Sequence, residues 1–108
     1  MSVENPGVVD AVGVINETGA IALTISDHLD WQQGSAHLLK LQDKLNRYLA
    51  FIESGELLEK YPEARGRPVR IDVYFQHSPN PEARKFLAEA EATVRRAGFA
   101  FGWRVLAA

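Results

Sequence analysis

The chain has 108 residues, 14 acidic and 12 basic side chains, a formal net charge of −2, 46% hydrophobic residues and no cysteine. That length supports one domain around one core, read here as residues 1–108, and the negative balance disfavours nucleic acid and anionic lipid as partners. Without cysteine there are no disulfides, thiolate metal sites or thiol nucleophiles, so packing alone must hold the fold.

The opening Met1 to Gly7 carries Glu4 where a secretion signal needs basic residues, and no apolar stretch approaches the ~20 residues of a membrane span, so a cytoplasmic location is expected. Apolar residues from Val8 to Ile15, then Asn16-Glu17-Thr18-Gly19, then Ala20 to Ser26 predict a β-hairpin. Its second strand alternates Ile21, Leu23 and Ile25 with Ala22, Thr24 and Ser26, giving one apolar and one small, polar face.

Between Ser35 and Glu53 the period becomes helical. Leu38, Leu41, Leu45, Tyr48, Leu49 and Ile52 form a stripe, with Lys40, Asp43, Lys44 and Arg47 on the opposite side. The helix start is open, since Asp30 with Gln33 imitates a capping box and Gly34-Ser35 offers a later beginning. Glu56 to Tyr61 fits one or two helical turns before Pro62, and Glu63 to Pro68 reads as loop.

Val69, Ile71, Val73 and Phe75 alternate with Arg70, Asp72, Tyr74 and Gln76, the clearest half-buried strand in the chain. Ser78-Pro79-Asn80-Pro81 supplies a cap followed by proline at the first helical position, and the helix runs to a stop at Gly98. Phe99, Phe101, Trp103 and Val105 then alternate with Ala100, Gly102 and Arg104 in a last strand. The order ββαβαβ predicts an α+β two-layer sandwich, one four-stranded mixed sheet with two helices packed on one face.

Strand direction stays open at this level. Right-handed crossovers would make three strands parallel, yet parallel sheets are usually covered on both faces and this one keeps a polar face. Either the third strand enters antiparallel or a second copy of the protein covers the open side.

The run Thr24-Ile25-Ser26-Asp27-His28-Leu29-Asp30-Trp31, the helix from Leu38 to Glu53 with Tyr48 to Glu56, the strand Ile71 to Phe75, and the Phe86-Leu87 helix ending at Ala97-Gly98 together resemble a family of small uncharacterised bacterial proteins, a domain of unknown function. The resemblance covers about Val8 to Val105 and implies a bacterial cytoplasmic protein. That family brings no assigned activity, so no functional residue is carried over.

Two sets of residues bear on function. Arg70, Asp72, Tyr74, Gln76 and Arg104, with Thr24, make a flat mixed-charge sheet face suited to a protein partner, because arginine and tyrosine most often anchor interfaces. The resulting expectation is a non-catalytic interaction module that binds itself or another protein. No cofactor is expected, and bacterial immunity proteins are one subclass of this size and acidity.

The alternative is a small metal-dependent hydrolase built on Asp27, His28 and Asp30, where the second strand ends. Two carboxylates and an imidazole can ligate a cation or move protons. The competing structural roles are a helix cap for Asp30, turn bonds for Asp27 and closure of the core edge by Trp31. Arg65, Arg67 and Arg70 around Gly66 form a local basic patch, read here as a solvated loop.

Overall fold

The computed structural model describes residues 11–32 and 34–106. The elements are β1 (Ala11–Val14), β2 (Ile21–Asp27), α1 (Gly34–Glu53), α2 (Glu56–Lys60), a 3-10 turn (Pro62–Ala64), β3 (Val69–Phe75), α3 (Pro81–Arg96) and β4 (Ala100–Val105). The four strands form one sheet in the order β1-β2-β3-β4. This is the two-layer α+β architecture expected from the element order. Val8, Val9 and Asp10 of the first predicted strand, and Gln33 of the proposed capping box, lie outside the described residues.

β1 pairs antiparallel with β2, while β2, β3 and β4 run parallel. The antiparallel entry considered for the third strand therefore does not occur. Each parallel connection passes through a helix, and both long helices lie on the same face. Leu41, Leu45, Tyr48 and Phe51 of α1 share one core with Leu87 and Val94 of α3 and with Ile21, Leu23, Ile25, Ile71, Val73, Phe75 and Phe101 of the sheet. The opposite face has no covering layer among the described residues.

Local chemistry explains the boundaries. Ile15 and Ala20 close the hairpin, the Ile15 N–H donating to Ala20 O at 2.8 Å. The Asn80 side chain caps α3 by accepting from Ala83 N at 2.8 Å, with Pro81 at the first helical position. Gly98, at φ 96°, takes the left-handed conformation that ends the helix. Arg67 ties the loop before β3 to the hairpin, donating to Glu63 O at 2.9 Å and to Gly19 O at 3.1 Å. It fixes a corner of the fold, so the predicted basic patch is partly consumed by structure.

The helical stripe of α1 is rotated from its expected place. Its buried residues are His37, Leu41, Lys44, Leu45, Tyr48 and Phe51, and Leu38, Leu49 and Ile52 are only half-buried. Lys44, assigned to the polar side from sequence, is 0% exposed. Position 44 lies one turn before Tyr48 on the same helix face, so burying the tyrosine brings the lysine with it. The Lys44 ammonium stands 5.6 Å from the Tyr48 ring centroid, and the Tyr48 hydroxyl donates to Thr24 O at 2.6 Å.

Candidate functional site

Two places gather polar side chains, one on each face of the sheet. The first is the carboxyl end of β2. Asp27 continues the inward alternation of Ile21, Leu23 and Ile25, so its carboxylate points toward the helices and is 1% exposed. The first turn of α1 lays His37 against it, Nε2 to Oδ2 at 2.5 Å. The other ring nitrogen, Nδ1, lies 2.9 Å from Asp30 O. A carbonyl only accepts, so Nδ1 carries a proton, and the short contact at Nε2 holds another between imidazole and carboxylate.

The rest of this corner is equally committed. Asp27 Oδ1 accepts from Leu29 N at 3.1 Å. Trp31 stacks on the His37 ring at 3.7 Å and 16°, and its indole N–H donates to His77 O at 3.1 Å. Neither nitrogen of His37 is left to take a proton from a substrate or to ligate a cation, and one ring face is closed by indole. The arrangement locks the β2–α1 connection to the end of β3.

The metal reading required Asp27, His28 and Asp30 together, and the fold separates them. Asp27 turns into the core, whereas His28 and Asp30 are exposed, Asp30 spending a carboxylate oxygen on Gln32 N at 3.2 Å. Among the described residues no group of three His, Cys, Asp or Glu side chains is arranged to hold a metal ion. His37 stands outside the cluster in sequence and could join Asp27 only by folding, which is what the structure does. The available signal was its position four residues before Leu41, inside the apolar stripe of α1.

The second place is the open face. Arg70 and Asp72 are two apart on β3 and so point the same way. Arg70 donates from Nε to Asp72 Oδ2 at 2.8 Å and from Nη2 to Oδ1 at 2.7 Å, a bidentate fork. These hydrogen bonds push the Arg70 guanidinium above its ordinary basic range; partial burial opposes the shift, and the negative charge of Asp72, then a smaller electrostatic contribution from Tyr74, add to it.

Beside this pair the Arg104 guanidinium lies 5.8 Å from the Tyr74 ring centroid. Arg70, Asp72, Tyr74, Gly102 and Arg104 line a shallow cavity of about 200 Å³. Gln76, the fifth residue assigned to this face, falls just past β3, where its N–H extends the ladder to Asp27 O at 2.9 Å and its side chain is exposed.

Gly102 is the residue of this face that sequence reasoning passed over. It registers beside Asp72, and a Cβ there would stand 2.8 Å from Arg70 Nη2 and 3.0 Å from Asp72 Oδ1. Glycine lets the fork lie flat across β4. An isolated glycine within an alternating strand was the available clue to such a close approach.

No helix among the described residues is long and apolar enough to cross a membrane. No curated protein and no solved structure matches the chain. The model of a family of unknown function, DUF6572, does match it over residues 1–107, and the chain therefore belongs to that family.

Proposed function

We propose that this protein is a non-catalytic interaction module of the bacterial cytoplasm, whose polar sheet face is covered by another protein. The observation that carries the reading is a sheet with three parallel strands and helices on one face only, since parallel strands are ordinarily buried on both sides. The uncovered face presents a tyrosine and two arginines, the residue types that most often anchor interfaces. Arg70 and Arg104 against Asp72 leave it positive among the described residues, on a chain whose net charge is −2. A partner bringing carboxylates to Arg104 fits that surface, and two like faces pressed together do not.

The contrast with the Asp27 corner supports the non-catalytic part. There every ring nitrogen of His37 is engaged, whereas on the open face Arg104 has no hydrogen-bond acceptor among the described residues. The test is native mass spectrometry of the protein purified gently and untagged from its own cell, beside a folded Arg70→Glu, Tyr74→Ala double variant. The wild type is expected to carry a protein companion that the variant loses. A bare wild type, or a companion retained by the variant, would overturn the open-face reading.

A further inference from the structure

One guanidinium of the open face is held in a pose that leaves much of it unspent. Asp72 takes the Nε–Nη2 edge of Arg70 with both of its oxygens. A guanidinium carries five N–H donors, and the fork uses two, so three remain on Nη1 and Nη2. None of the three meets an acceptor among the described residues. They form the second edge on which an arginine can take an oxyanion through two parallel hydrogen bonds.

Gly102 supplies the floor beneath this group. It registers beside Asp72, and the atom nearest to where its Cβ would stand is Arg70 Nη2, at 2.8 Å. A glycine inside a strand gives up packing and marks the close approach of another group. What approaches here is a cation, so the recess above Gly102 is positive. Arg104 stands two residues on along β4, on the same face, with only the Tyr74 ring against its guanidinium among the described residues. Both arginines line the shallow cavity of about 200 Å³, in which Asp72 is the one carboxylate.

We propose that this recess receives a carboxylate side chain of the partner protein, an aspartate or glutamate seated above Gly102 between the free edge of Arg70 and the Arg104 guanidinium. Asp72 is then a positioning residue, which keeps Arg70 flat across β4 and its second edge turned outward. The proposal rests on the reading of this face as protein-binding and names the group that the partner brings.

Charge and size select that occupant. Two guanidinium groups against one carboxylate leave one positive charge uncompensated at the cavity. Its volume lies below the roughly 300 Å³ at which ordinary small-ligand pockets begin, so the anion is delivered by a surface that covers the sheet. A net charge of −2 repels extended polyanions such as nucleic acid, which leaves a single carboxylate on a protein as the fitting source.

A blocked tetraglutamate peptide titrated into the isotopically labelled protein tests this, read by NMR at the arginine Nε–H signals, with inorganic phosphate as a second probe. The Arg70 and Arg104 signals are expected to shift together and to saturate, while those of Arg95 and Arg96 on α3 do not. Arg104→Gln lowers peptide affinity about tenfold. Gly102 keeps an ordinary strand backbone, so Gly102→Ala is tolerated by the main chain and alters no charge; its methyl group displaces the Arg70 guanidinium and weakens binding severalfold. Asp72→Asn makes the face more positive, so diffuse attraction would tighten binding, whereas loss of the fork weakens it severalfold. That variant decides the matter should Gly102→Ala unfold.

Tighter binding by Asp72→Asn, or shifts at Arg95 and Arg96 equal to those at Arg70 and Arg104, would overturn the proposal. Phosphate saturating the same two arginines at lower concentration than the peptide would overturn the choice of a protein carboxylate. If the carboxylate assignment alone is wrong, the native mass spectrum still shows a companion that Arg70→Glu with Tyr74→Ala removes. If the interaction-module reading is wrong as well, that companion is absent.

Discussion

Two acid–base pairs sit on opposite faces of one sheet and serve opposite ends. Asp27 and His37 are sealed beneath Trp31, with both ring nitrogens and both carboxylate oxygens engaged. Arg70 and Asp72 lie on the uncovered face, their side chains 35% and 16% exposed, beside an arginine held only by a tyrosine ring among the described residues. Satisfied polar groups in a dry site stabilise one structure and have nothing left for a ligand. Half-exposed groups on a flat surface add little stability and keep capacity for a partner.

That contrast breaks most easily at the buried pair. Asp27→Ala leaves His37 Nε2 buried without its acceptor and is expected to cost about 3–5 kcal/mol in urea unfolding. A loss under about 1 kcal/mol would mean that the corner is wet and adaptable. Trp31→Leu, which removes the stacked ring and the bond to His77 O, should cost about 2 kcal/mol, less than a fully buried tryptophan because Trp31 is half-buried. Tyr48→Phe deletes one hydrogen bond to β2 with little change of shape, so a loss of about 1 kcal/mol is expected in the same assay.

On the open face the effects on folding are smaller and the effects on association larger. Asp72→Asn is expected to lower stability by about 1 kcal/mol or less, as for a partly exposed ion pair, while weakening capture of the partner protein. Stability lost on the scale of Asp27→Ala would erase the distinction between the faces. The pH dependence follows from the sign of the Arg70 shift. A raised folded value gives stabilisation fully present below the unfolded value and lost only as pH rises through the folded one. That window lies beyond the ordinary basic range of arginine, so the Arg70 contribution stays constant across neutral pH, and denaturation of Arg70→Gln at pH 6 and pH 9 should give the same difference from wild type.

Period-two alternation made β2 and β3 legible, because each has one face in the core and one in water. Asn80-Pro81 and Gly98 marked α3 by cap chemistry that needs no tertiary information. The α1 stripe was legible as a stripe but not in its rotation. Leu38, Leu49 and Ile52 score as apolar on one flank, and only packing against the sheet shows that the His37, Lys44 and Phe51 flank goes deeper. The direction of β3 depended on how the chain crosses after α1, which local pattern does not encode.

The candidate sites divide the same way. Arg70, Asp72, Tyr74 and Arg104 were readable as one face because strand parity alone puts them there. The pairing of Asp27 with His37 joins a strand end to a helix start ten residues on, and only the fold brings the two together and buries them. The adjacency of Asp27, His28 and Asp30 in sequence suggested a cluster that strand alternation takes apart.

Site-specific photocrosslinking in the native cell tests the central claim most directly, with one photoreactive residue at Ser26 on the open face and another at Glu89 on the exposed side of α3. The account predicts a discrete protein adduct from Ser26, reduced by Arg70→Glu with Tyr74→Ala, and none from Glu89. Adducts from Glu89 with none from Ser26 would contradict it, and would place the working surface on the helices.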